Sequence, residues 1–121
     1  MRVLTFALLL AVAGPAISAT PAHFQVRNTE DLVRVCSTPA GDEHHATAVA
    51  FCHGFGAGAY RYYEAATEAA DRFVCPPTPT PSRADVLDSF LAWAKANPGF
   101  MSKPAVNSLF RYLGTTYPCN N

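Results

Sequence analysis

Four cysteines, Cys36, Cys52, Cys75 and Cys119, constrain this chain of 121 residues more than any other feature. In a small chain an even cysteine count is either a disulfide framework or a set of thiolate ligands, and the compartment decides between them. The chain opens MRVLTFALLLAVAGPAISA: basic Arg2, an apolar stretch from Val3 to Ala13, then Gly14, Pro15 and small residues. That order is the n-region, h-region and cleavage zone of a secretory signal peptide, and the stretch is too short and wrongly flanked for a membrane span. Cleavage is expected after Ala19, with the bond after Ser18 as the alternative. Export carries all four cysteines into an oxidising compartment, so disulfides are expected. No CxxC pair occurs, and the spacings match no zinc module.

The exported part, residues 20–121, is enough for one domain with one modest core. In a domain that small, bridges of about 2–4 kcal/mol each decide whether it folds. Removing Arg2 from the nine basic residues leaves eight against nine acidic ones, with no basic cluster. Nucleic-acid binding requires a positive footprint, so that class is set aside. No later segment is long and apolar enough to span a bilayer, so no membrane contact is expected once the leader is cleaved.

Apolar residues recur at helical spacing along the rest. NTEDLVRVCS begins with Asn28 or Thr29 as N-cap, carries Glu30 and Asp31 in the first turn, and sets Leu32, Val35 and Cys36 on one face. Pro39, Gly41 and Asp42 end that helix. From Ala46 to about Arg72 there is no proline, and Val49, Cys52, Phe55, Ala59 and Tyr63 return every three or four residues. CPPTPTPS then holds the chain extended. A third helix starts at Ser82 with Asp85 in a capping-box variant, buries Val86, Leu87, Phe90, Trp93 and Ala94, and stops at Pro98 and Gly99. In the fourth, Ser102 caps, Pro104 sits in the first turn, and Val106, Leu109, Phe110, Leu113 and Tyr117 form the apolar face. With no convincing strand, the fold class is all-α: a small four-helix domain stabilised by two disulfides.

FCHGFGAGAYRYY, in the second helix, resembles two chemical motifs. Gly54, Gly56 and Ala59 spell GxGxxA, but that dinucleotide fingerprint works only where a strand feeds a helix. Cys52 and His53 are adjacent, and neighbouring helix residues point about 100° apart, so they do not form a nucleophile and base. The reading is architectural instead. Gly54 and Gly58, four apart, admit a closely packed helix; Tyr60, Tyr62 and Tyr63 fill wider space; and this becomes the central packing helix, tied by Cys52. No catalytic, cofactor-binding or metal-ligating residue is assigned.

Four cysteines allow three connectivities. If helices one and two are antiparallel across a short loop, Cys36 falls near Cys52. If helices three and four likewise fold back, Cys119 falls near Cys75. The expected pairs are Cys36–Cys52 and Cys75–Cys119.

A cysteine closing the first helix, then FCHGFGAGAY, then VCPPTPTPSRADVLDSFLAWAKANPGFMSKPAVNSLFRYLGTTYPC, resembles the Rap/Tai family of periplasmic immunity proteins over roughly residues 28–119. The order of the four cysteines and the closing YPC are the most specific parts. The resemblance implies a small helical domain, often dimeric, that works in the periplasm. There it would bind a cognate peptidoglycan amidase effector of type VI secretion and block its cysteine–histidine active site by steric exclusion, without chemistry of its own.

The polar segment GDEHH supplies the candidate contacts, Asp42, Glu43, His44 and His45, and the proline loop from Pro76 to Pro81 is a second stiff, exposed candidate. Two adjacent histidines without a third ligand are no metal site. A homodimer could bury spare aromatic residues such as Phe100 and Phe110. Two alternatives stand beside the immunity role. One is a disulfide-linked periplasmic acid-stress chaperone, to which His23, His44, His45 and His53 would add charge at low pH. The other is a domain of this family with no toxin partner.

Overall fold

The computed structural model describes residues 19–120, so the leader expected over residues 1–19 lies outside the described residues except for Ala19. Four α-helices, α1 (Thr29–Cys36), α2 (His45–Ala66), α3 (Arg83–Ala96) and α4 (Ala105–Thr116), are joined by loops and short 3-10 turns. The described residues contain no strand, and the fold is all-α.

The shortest helix is the hub. All of α1 except Glu30 and Arg34 is buried, and it packs against α2, α3 and α4. Glu30 and Arg34 pair at 2.6 Å on its outer side. A helix this enclosed must satisfy its leading N–H groups within the protein. Thr29 N–H donates to the Lys103 carbonyl (2.8 Å), Glu30 N–H to that of Met101 (3.0 Å), and Leu32 N–H to that of Asn28 (3.3 Å). Asn28, the N-cap, accepts from Asp31 N–H at 2.9 Å. The Asp31 carboxylate in turn accepts from Arg27 N–H at 3.1 Å. The connector before α4 thus caps α1, and the two chain-distant helices hold each other's starts.

α2, expected to be central, is peripheral. Only Ala48, Cys52 and Tyr63 of its 22 residues are buried. It also ends at Ala66 rather than near Arg72, because Thr67 turns extended (φ −119°, ψ 122°). Arg72 folds back and donates to the Glu64 carbonyl at 2.9 Å, so a residue expected inside the helix caps its end.

α3 begins as expected. Ser82 Oγ accepts from Asp85 N–H (3.1 Å) and donates to the Asp85 carboxylate (2.6 Å). Phe90, Leu91 and Ala94 are buried, while Val86, Leu87 and Trp93 pack on the core from its edge.

Two expectations for α4 are corrected. Ser102 does not cap: Pro104 is the N-cap, because proline disfavours helical backbone at the residue before it and delays the start to Ala105. The buried face is Ala105, Ser108, Leu109, Tyr112 and Leu113, whereas Val106 is 43% exposed. Rotation toward Ser108 follows from the hydroxyl partner it finds on α1, Thr29.

Cys36 and Cys52 form one disulfide (Cα–Cα 5.7 Å) and Cys75 and Cys119 the other (4.9 Å). At the second, residues 74–75 and 117–118 run antiparallel, with Cys75 N–H donating to the Tyr117 carbonyl at 2.8 Å. Tyr63 fastens the same strap to α2: its hydroxyl accepts from Phe73 N–H (2.7 Å) and Val74 N–H (3.1 Å). One glycine serves close approach, Gly114, where a Cβ would lie 2.9 Å from the Phe73 ring.

Candidate partner-binding surface

The α1–α2 hairpin carries the four residues singled out as contacts, and the structure divides them. Asp42 builds the turn: its N–H donates to the Pro39 carbonyl (2.9 Å) and its carbonyl accepts from His45 N–H (3.0 Å). Its carboxylate accepts from His44 N–H at 2.8 Å, an Asx turn. His45 is not in the loop but opens α2, and its Nδ1 lies 2.8 Å from the Thr38 carbonyl. A carbonyl only accepts, so Nδ1 carries the proton in that bond. Asp42 and His45 therefore shape the hairpin.

Glu43 and His44 are what it presents. Their side chains are 87% and 68% exposed, 3.7 Å apart at the hairpin tip. The Cys36–Cys52 disulfide closes the base of this hairpin, so the tip is held before any partner arrives. A preformed tip loses less entropy on binding than a free loop.

The long proline segment is the second surface. Residues 75–80 are exposed, and Pro81 is partly covered against a cavity beneath.

α2 supplies a third feature that the sequence reading misassigned. A Cβ at Gly54 or Gly58 would meet nothing within 4 Å, so neither glycine admits a neighbouring helix within the chain. Tyr62, four residues beyond Gly58, is 76% exposed and fills no interior space. Conversely, Phe100 and Phe110, expected to be spare aromatics, are engaged internally. Phe100 packs on Trp93 and Phe110 on Tyr63, each with ring centroids 5.0 Å apart.

Every cysteine is bonded to another cysteine, so no thiol lies beside His53. No three histidine, cysteine or carboxylate side chains among the described residues are grouped to hold a metal ion. No described helix is long and apolar enough to cross a membrane. The surface presents a tied hairpin tip, an exposed proline strap and an open helix face.

The sequence model of the Rap1a immunity proteins matches residues 28–119. No curated protein and no solved structure matches the chain significantly. The matched stretch runs from Asn28, which caps the buried first helix, to Cys119, which closes the second disulfide, and so takes in the entire four-helix framework. The chain belongs to the Rap1a immunity proteins.

Proposed function

We propose that this protein is exported to the periplasm, where it binds a peptidoglycan amidase effector delivered by type VI secretion and blocks it sterically. The family match over residues 28–119 carries this reading. Three features support it. The N-terminal sequence has the layout of an export signal. Both disulfides suit an oxidising compartment. The hairpin tip with Glu43 and His44 is exposed and held in place at its base.

The mechanism is occupation. A pre-formed protrusion covers the amidase active site, and the inhibitor supplies no nucleophile, proton or metal. Glu43 and His44 make the polar contacts, while Asp42 and His45 keep the tip in shape.

The test is genetic. Each reading frame neighbouring the gene is expressed in the periplasm with and without this protein, and lysis is recorded. The proposal expects one neighbour to lyse cells and this chain to rescue them. It also expects Glu43→Lys combined with His44→Glu to weaken rescue without lowering the melting temperature. Absence of any toxic neighbour, or lysis unaffected by the chain, contradicts it.

A further inference from the structure

Beneath the proline strap, between α2, α3 and α4, lies a cavity of about 250 Å³. Its wall is mainly hydrocarbon, with Leu32, Phe55, Val86, Leu87, Phe90 and Leu113 among the lining side chains. Four observations give it a chemical preference.

The first is charge. The ionisable side chains on the lining are His53, Arg61 and Arg83, joined by the phenols of Tyr60 and Tyr117, and no carboxylate lines it. Two carboxylates flank the wall without lining it, Glu64 near Tyr60 and Asp85 near Tyr117, so the preference for an anion rests on Arg83. Arg61 is paired with Glu64 at 2.6 Å, but Arg83 makes no ion pair among the described residues. Asp85, in the first turn of α3, does not line the cavity and is bound by the Ser82 hydroxyl.

The second is Gly56. A glycine inside a helix is unfavourable by about 1 kcal/mol relative to alanine. Gly56 lines the cavity, and a Cβ there would meet nothing within 4 Å. No neighbouring atom requires the glycine, and what its missing side chain leaves free is cavity.

The third is the pair of phenols. Burial raises the pKa of both Tyr60 and Tyr117, as expected for hydroxyls on a partly dehydrated wall. The fourth is size. Drug-sized ligands occupy roughly 300–1,000 Å³. At about 30 Å³ for a water-sized group, this space takes about eight methylene-sized groups.

We propose that this cavity is a binding site for a small anionic amphiphile, a linear monocarboxylic acid of about ten carbons, with about eight enclosed and the carboxylate end at the rim beside exposed Arg83. Its chain lies along Phe55, Leu87 and Phe90, and its carboxylate turns to Arg83, with Arg61 and the tyrosine hydroxyls beside it. This goes beyond the immunity role and is read without any effector.

Calorimetric titration of the exported, oxidised chain with decanoate, decanol and decyltrimethylammonium, each below its micelle concentration, tests it. The expected result is one decanoate per chain, bound about tenfold or more tighter than the cation. Gly56→Leu fills the cavity and removes binding, while its circular dichroism stays helical and its melting temperature does not fall. Arg83→Glu weakens decanoate about tenfold and leaves decanol unchanged.

The proposal is overturned if wild type binds no decanoate, if acid and cation bind alike, or if Gly56→Leu binds as well as wild type. Should decanoate fail to bind while Gly56→Leu abolishes protection from an effector, the cavity receives a partner's apolar segment and the amphiphile assignment falls.

Discussion

The hydroxyl oxygens of Thr29 and Ser108 lie 2.7 Å apart, both fully buried, and join the first turn of α1 to the first turn of α4. Removing one partner costs the other its short buried bond, about 1–3 kcal/mol, and leaves Thr29 only the Lys103 carbonyl at 3.0 Å or Ser108 only the Phe100 carbonyl at 3.5 Å. Thr29→Val and Ser108→Ala should each lower stability by that amount. The double variant should lose less than their sum, because each single variant already forfeits the one bond they share. Urea denaturation of the four proteins measures the coupling, and strict additivity would show the contact to be idle.

Tyr63 makes the corresponding tie between α2 and the strap at Phe73 and Val74. Tyr63→Phe keeps the ring contacts but removes the acceptor for two backbone N–H groups, one of them on Val74, which is 2% exposed. The expected loss is about 1–3 kcal/mol. Hydrogen exchange at the Phe73 and Val74 amides should accelerate more than exchange in α3.

Glycine substitutions should separate by sign. Gly58→Ala adds a methyl to an open helix face and should stabilise by about 1 kcal/mol. Gly114→Ala sets a methyl 2.9 Å from the Phe73 ring, which is itself packed on Tyr63 and Phe110. Overpacking there should outweigh the helix gain and leave a net loss of about 1 kcal/mol. In a Phe73→Ala background, Gly114→Ala should become stabilising. Thermal melts of the set decide it.

Alkaline stability should follow the two cavity tyrosines. Burial, and then Glu64, raise Tyr60 above the ordinary value of 10.0. Burial, and then Tyr112, do the same for Tyr117. The folded state therefore holds these protons more tightly than the unfolded state, so unfolding releases protons and stability falls as pH rises. The contribution is complete below about pH 10 and disappears as pH passes the raised folded values. Tyr60→Phe combined with Tyr117→Phe should flatten the alkaline limb of a melting-temperature profile. An unchanged limb contradicts the assignment.

How far the sequence predicts this molecule depends on the range of the forces at each point. The starts of α1 and α3 are legible because Asn28 and Ser82 cap through residues three positions away. The end of α2 is not, because neither proline nor glycine marks it and the Arg72 side chain supplies the cap. The α4 face is misread by counting apolar letters. Ser108 is buried for a partner 79 residues distant, while Val106 lies at the surface. The hub role of α1 is also a tertiary fact, since its leading amides are satisfied by carbonyls of Met101 and Lys103.

The surface divides in the same way. The GDEHH segment is recognisable as a polar turn, but only the fold separates Glu43 and His44 at the tip from Asp42 and His45 in its frame. The cavity under the proline strap leaves no local mark. Its cations come from α2 and α3, and its wall from all four helices and the strap.

The most direct test of the immunity role takes a toxic neighbour found by the lysis screen, expected to be a peptidoglycan amidase, and titrates it with this protein, following release of peptidoglycan fragments. The account predicts that hydrolysis falls linearly to zero near one inhibitor chain per active site. Protein reduced at both disulfides, with its hairpin base untied, should inhibit less at the same ratio. Full hydrolysis under an excess of the oxidised chain would contradict it.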